Sequence, residues 1–351
     1  MIPLGKGKQR GTHAGGSIVS GRLGIAIPVQ HPLTVTECIQ LAQRAENAGY
    51  DSIWIPEVVG TDAFVLMTAI AGVTTHLRLG TGIVPILTRT PSLLAMTAAS
   101  VAQLAPGRVH IGLGISTPNI IQDWHGIPYD RPLARLRAYV TILRKALAGE
   151  RLTLEAGGYA LRNFRLGLPA PLQPIPIYVA ALNSRMLQLA GELADGIILN
   201  WLPEEQVPWA LGHLQTGVSK AGRTLADLDI ACLVRVCITD EVSAARQWLR
   251  RELTGYAIVE AYRRYFQRIG FRAEADAVNA KWRVGDRIGA MSEVLDQMID
   301  RLAVFGTAAQ CRARLGRFAE AGITLPIMFP FSPNAEYQAS IHRTLAGLGF
   351  A

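Results

Sequence analysis

Two hydrophobic patterns alternate along the chain. Short, nearly continuous apolar runs at 52–56, 77–84 and 108–114 each end in a polar or Gly-rich turn, and each is followed by helical periodicity. A parallel strand buried on both faces needs such a run, and a right-handed crossover helix must return the chain before the next one. The same alternation extends in both directions. Residues 23–28 read as a first strand, and Thr34-x-x-Glu37 is a capping box opening a helix that ends near Gly49. Helices are expected at about 62–73, at 91–104 with Pro91 in the first turn, and up to Leu147 after a long loop. Further strands fall at 175–180, 196–200 and 230–238, and the run 323–329 completes eight. A helix is expected after the fifth strand at 184–194, another at 307–321, and a short one after Pro333.

Eight β-loop-α units in order predict an α/β protein, a (β/α)8 barrel formed as one domain over 21–351. Gly- and Pro-rich residues 149–174 and the long stretch 241–290 do not fit simple crossovers, so both are expected as insertion segments, the second with extra helices. In such a barrel, chemistry sits in the loops at the strand carboxyl ends.

Composition narrows the setting. Half the residues are hydrophobic and 18% are charged, enough for a large core. Apolar stretches are interrupted well before the ~18 residues that a membrane span needs. Residues 1–20 are Gly-rich, carry Lys6, Lys8 and Arg10, and lack the apolar core of a secretory signal, so a flexible N-terminal extension is expected. The four cysteines form no CxxC pair, which fits reduced thiols and a cytoplasmic location. The net charge of +8 is open to a nucleic acid, an acidic lipid or an anionic small molecule. Arg263, Arg264, Arg268 and Arg272 share one helical segment, where a solvated face is the simple explanation. No aromatic-interleaved basic motif accompanies them, so neither nucleic acid nor membrane is expected as a partner, and an anionic ligand is the more economical use of the charge.

Candidate chemistry then reduces to a few loops. The seven histidines are dispersed and HExxH is absent, so no metal site is expected. Gly112-Leu-Gly114 lacks the third glycine of a dinucleotide fingerprint and runs into Pro118. After the third strand, glycines 80 and 82 suit a close ligand or a bulge, or equally close packing. Ser116, Thr117 and Asn119 follow the fourth strand and could hydrogen-bond a heterocycle or a ribityl chain, or simply be solvated. Residues 180–184 put small side chains at a helix start, where free N–H groups favour an anion, although Asn183 or Ser184 could serve only as a cap. Glu57 directly follows the second strand and is the first candidate for proton transfer or substrate orientation; Asp62 suits an N-cap. Trp124 could wall a pocket, and His125 beside it is the second candidate for proton transfer.

At these residues the chain resembles the bacterial luciferase-like flavoenzyme superfamily, in particular its coenzyme F420-dependent branch. The likeness spans roughly 21–350. It is carried by Ala48-Gly-Tyr-Asp-Ser-Ile-Trp-Ile-Pro-Glu57, Gly60-Thr-Asp-Ala-Phe64, Leu79-Gly-Thr-Gly82, Arg89-Thr-Pro91, Gly107-Arg-Val-His-Ile-Gly-Leu-Gly114, Trp124-His-Gly126 and Ala194-Asp-Gly196. The resemblance implies a hydride-transferring oxidoreductase that binds F420 at the strand carboxyl ends, usually as a homodimer. It implies a non-prolyl cis peptide at Gly82-Ile83 behind the deazaflavin, a phosphate-binding segment at Ala180, Ala181, Leu182 and Asn183, and a loop at Ser116 and Thr117 against the cofactor. Two departures stand out. Several F420 enzymes carry Asp-His where this chain has Glu57-Val58, and Thr117 stands near the Glu used by the sugar-phosphate dehydrogenase branch, which argues against that activity. An FMN-dependent monooxygenase and a non-catalytic flavin-binding protein are the alternatives.

Overall fold

In the computed structural model, which describes residues 21–350, each apolar run becomes a strand of one parallel sheet. The strands in chain order are β1 (Gly24–Ala26), β2 (Ser52–Ile55), β3 (Arg78–Thr81), β4 (Val84–Pro85), β5 (Val109–Gly114), β6 (Leu152–Ala156), β7 (Tyr159–Phe164), β8 (Ile177–Ala180), β9 (Gly196–Asn200), β10 (Asp229–Ile238), β11 (Ala303–Gly306) and β12 (Leu325–Pro330). The helices are α1 (Val35–Asn47), α2 (Ala63–Ala71), α3 (Pro91–Leu104), α4 (Pro132–Leu147), α5 (Ser184–Leu193), α6 (Val207–Lys220), α7 (Val242–Ala257), α8 (Glu260–Arg268), α9 (Arg272–Arg283), α10 (Arg287–Ser292), α11 (Asp296–Leu302), α12 (Ala308–Glu320) and α13 (Tyr337–Leu348). The sheet closes because β12 pairs with both β1 and β10, giving an eight-stranded α/β barrel in the order β1, β2, β3, β5, β8, β9, β10, β12. The extension expected at 1–20 lies outside the described residues.

Local signals set the helix boundaries. Thr34 and Glu37 form the capping box that opens α1. Thr90 caps α3, whose first residue is Pro91, and Asp62 caps α2 by accepting from the N–H groups of Phe64 and Val65. Three features go beyond the pattern reading. Residues 149–174 hold the antiparallel hairpin β6–β7, turned by Gly157 and Gly158, both at positive φ. Helix α6 and the short strand β11 were not expected. β11 extends the sheet where β10 runs on past β9, pairing with Arg235–Ile238.

Two layers of core support the site. Ala26, Trp54, Tyr178, Ile198, Leu233, Ile327 and Phe329 fill the bore, while the larger cluster lies between strands and helices. At the bottom of the bore, Arg22 bonds Asp51 and Asp229, Arg78 bonds Asp51, and the Tyr178 hydroxyl donates to Asp229 at 2.7 Å. With its amino-terminal end tied by ions and its centre packed, the barrel opens at the strand carboxyl ends. No helix among the described residues is long and apolar enough to cross a membrane.

Candidate active site

The glycines of the third strand have separate roles. A Cβ on Gly80 would lie 2.4 Å from Cε3 of Trp54, whose indole occupies the bore there, so Gly80 is a packing residue. Beyond it β3 parts from β5. Thr81 bridges the gap: its hydroxyl donates to the Gly112 carbonyl and accepts from the Gly112 N–H, both at 2.8 Å. The chain bulges through a cis peptide at Gly82-Ile83 and rejoins β5 as β4. The Glu57 N–H donates to the Ile83 carbonyl at 3.1 Å, fixing the bulge against the end of β2.

Around this bulge opens a cavity of about 820 Å³. Its lining gathers Glu57, Gly82, Ile83, Ser116, Thr117, Asn119, Ala180, Ala181, Leu182 and Asn183 from four different strand ends. His125 is not among them. It is exposed, directly after a single turn of π-helix at Asn119–Trp124, and Trp124 is the member of the pair that reaches the cavity.

Each lining group is held by a local device. Ser116 sits at φ 57, a left-handed conformation uncommon for serine, at the point where the chain leaves β5. Asn183 caps α5 by accepting from the Met186 N–H at 3.0 Å. The N–H groups of Ser184 and Arg185 thus have no partner within the helix, at the positive end of its dipole. Arg185, in the first turn of α5, is exposed and lines the cavity, as do Arg264 and Arg268 from α8, the former paired with Glu260.

Glu57 is engaged rather than free. Its Oε2 accepts from the Ala63 N–H and from Arg89, both at 3.1 Å, and Arg89 also pairs with Asp62. Burial works against the Asp62 carboxylate, but the Val65 N–H and Arg89 outweigh it and lower its pKa. Glu57 is therefore an oriented carboxyl group on the cavity wall.

The far wall comes from α7 and α8, so the segment 241–290 covers the site whereas the hairpin does not. It carries a cluster that the sequence reading missed. Arg235 on β10 is 1% exposed and lies between Trp201, 4.0 Å from its guanidinium carbon, and Phe329, at 4.5 Å. Its guanidinium donates to Asn200, to Glu252 at 3.2 Å and to the Tyr256 hydroxyl at 2.9 Å. Gln30 donates to the same Glu252 oxygen at 2.7 Å, and Asn200 donates to Tyr262 at 3.0 Å. A signal was available in the sequence: Arg235 is the lone charge in the apolar run 230–238, and a buried charge must be paired.

Comparison with known proteins agrees with this architecture. Residues 15–325 match the family model described as luciferase-like monooxygenase. The chain is 29% identical over 317 residues to a putative coenzyme F420-dependent oxidoreductase of Mycobacterium tuberculosis, covering 82% of this chain and 89% of that protein. It is 27% identical over 308 residues to a 5,10-methylenetetrahydromethanopterin reductase of Methanolobus tindarius, covering 86% and 93%. In fold it is similar to the coenzyme F420-dependent tetrahydromethanopterin reductase of Methanopyrus kandleri, with a TM-score of 0.75 and 21% identity over 93% of this chain and 97% of that one. With a family pattern that matches residues 15–325, most of its length, this chain belongs to the luciferase-like monooxygenase family of enzymes.

Proposed function

We propose that this protein is a coenzyme F420-dependent oxidoreductase that transfers hydride between C5 of the deazaflavin and a small organic substrate. The observation that carries this is the continuity of one cavity from the bulge at Gly82 and Ile83 to the basic helix start at Asn183. A cofactor with a flat ring at one end and a phosphate with carboxylates at the other matches that polarity, and the names of the relatives in sequence support it. Gly82, Ile83, Ser116, Thr117 and Asn119 would hold the ring and ribityl chain, and the segment 180–185 the phosphate. The deazaflavin supplies two-electron hydride chemistry at C5. The protein's share is to orient, bind the anion and exclude water, with Glu57 fixed by Arg89 as a wall group that orients the substrate.

We also propose that the enzyme works as a cytoplasmic homodimer. Val65 on α2 and Leu93, Met96 and Leu104 on the adjacent α3 are exposed apolar side chains, and the spacing in α3 places them along one stripe.

Titration with F420 and with FMN at several salt concentrations, followed by tryptophan quenching, tests the cofactor assignment, because Trp124 lines the cavity. Tight, salt-sensitive binding of F420 with weak binding of FMN is expected. Preference for FMN would move the protein to the oxygen-activating members of the family. Binding without turnover of any hydride donor or acceptor would make it a flavin-binding protein.

A further inference from the structure

Arg235 sets the direction of a chain of hydrogen bonds that ends at the cavity. A guanidinium can only donate, so the Asn200 atom that faces it is the carbonyl oxygen, Oδ1. That fixes the amide, and Nδ2, which can only donate in turn, meets the Tyr262 hydroxyl at 3.0 Å. The Tyr262 oxygen therefore accepts, and its own hydrogen is left for another partner. Among the described residues nothing accepts it. Burial, with Tyr256 close by, holds the Tyr262 pKa above that of an ordinary tyrosine against the pull of the Asn200 bond, so the hydroxyl keeps this hydrogen.

The polar groups around it are committed elsewhere. Arg235 donates to Asn200, Glu252 and Tyr256. The Tyr256 hydroxyl has Trp201 and Glu252 beside it as well, so its hydrogen has a place within the cluster. Glu252 accepts from Arg235 and Gln30 through Oε1, while its Oε2 is buried out of reach of a ligand. Tyr262 differs in being half-buried and lining the cavity, in the first turn of α8, together with Asn200 at the end of β9. β9 is three strands round the ring from β3, so this hydroxyl stands across the bore from the bulge at Gly82 and Ile83. Ile198, Leu233, Val259 and Phe329 make the rest of that wall apolar. Of the cavity's basic groups, Arg185 belongs to α5, Arg264 is paired with Glu260, and Arg268 lies ~9 Å further along α8 than Tyr262. An oriented donor in an apolar wall discriminates, because a ligand without the matching acceptor leaves it unpaired.

We propose that Tyr262 is a specificity-determining residue, which donates its hydroxyl hydrogen to a lone-pair oxygen or nitrogen of the substrate bound between the deazaflavin and the β9–β10 wall. Asn200 and Arg235 are the positioning residues that make it a donor. The inference rests on the F420 reading and deepens it. The contact orients the substrate and takes no part in hydride transfer. Its distinctive consequence lies in Asn200→Asp. An aspartate there still pairs with Arg235, but its second oxygen accepts, so Tyr262 turns its hydrogen back and offers the cavity a lone pair instead. A substitution that leaves Tyr262 in place thus removes the recognition.

Benzonitrile and phenylacetylene are the probes: they share one shape, and the first ends in a nitrogen lone pair where the second ends in C–H. Each is titrated by calorimetry into F420-loaded wild type, Tyr262→Phe, Tyr256→Phe and Asn200→Asp. Wild type should bind benzonitrile about tenfold more tightly than phenylacetylene. The nitrile stretching band should move to higher wavenumber on binding. Tyr262→Phe and Asn200→Asp should each level the two affinities and abolish the band shift, with F420 affinity and the circular dichroism spectrum unchanged. Equal affinity of wild type for the two probes, or binding of neither, overturns the proposal. So does a preference that survives Tyr262→Phe, whether it falls with Tyr256→Phe or Tyr262→Phe weakens F420 itself. An Asn200→Asp protein with the wild-type preference overturns the relay, since a side chain needed only to hold Arg235 would be replaced without effect. Failure of wild type to bind F420 overturns the cofactor reading separately, and the same probes titrated without cofactor then still decide the role of Tyr262.

Discussion

His110 offers a test of the bore that is independent of any ligand. It lies on β5 below the cavity, 8% exposed, with ring centroids 6.2 Å from Trp54 and 5.6 Å from Tyr178, and its Nδ1 has no hydrogen-bond partner. Burial lowers its pKa from 6.5 to about 4; the nearby charges of Arg78 and Arg22 on one side and Asp229 and Asp51 on the other largely offset one another. The folded protein therefore keeps a neutral imidazole where the unfolded chain takes up a proton. Between about pH 6.5 and pH 4 the unfolded state binds more protons, so this group's stabilisation is fully present above 6.5 and is lost as pH falls to 4. At ~1.4 kcal/mol per unit, the span corresponds to about 3 kcal/mol. His110→Gln removes the titration, and groups common to both proteins cancel in the difference. Urea denaturation of the two proteins across this window should show the wild-type free energy falling by about 3 kcal/mol more than that of the variant. Parallel curves would refute the buried neutral state of His110.

Other perturbations address other parts of the molecule. Gly112→Ala would place its Cβ 2.0 Å from the Thr81 carbonyl oxygen, a backbone atom that cannot yield, so it should destabilise by about 3 kcal/mol in thermal or urea unfolding, whereas Gly60→Ala, with nothing within 4 Å, should be neutral. Glu57→Gln keeps an oxygen for Arg89 and Ala63 while removing the charge; kcat/KM in the F420-coupled assay should fall about tenfold, with F420 affinity unchanged by titration. Replacing Arg264 and Arg268 together by serine should weaken F420 binding and flatten its salt dependence, and an unchanged slope would remove the basic rim from the anion site. Leu93→Glu with Met96→Glu should convert the proposed dimer to monomer by light scattering while leaving the circular dichroism spectrum intact.

The amino-acid sequence by itself determined the barrel, because a strand buried on both faces can be written only as an apolar run, and because caps are local. Strand β2, helix α3 and strand β9 fall on the residues that pattern and turn chemistry predict. The strand-end loops were legible for the same reason: small and polar residues interrupt the pattern at Gly82, Ser116 and Asn183. Only the tertiary structure decided which of those residues meet. It brought Glu57 to the cavity but bound it to Arg89, from 32 residues away, and it left His125 in solvent beside Trp124, which is half-exposed where it lines the cavity. It also separated the two glycines of β3, assigning Gly80 to the Trp54 indole and Gly82 to the bulge. The Arg235–Glu252 pair was out of reach of pattern reading because its partners come from β9, β10, α7, α8 and the segment after β1. Periodicity is a property of neighbours along the chain, whereas the pairing of buried charges is a property of neighbours in space, set here by closure of the sheet together with the packing of α7 and α8 over it.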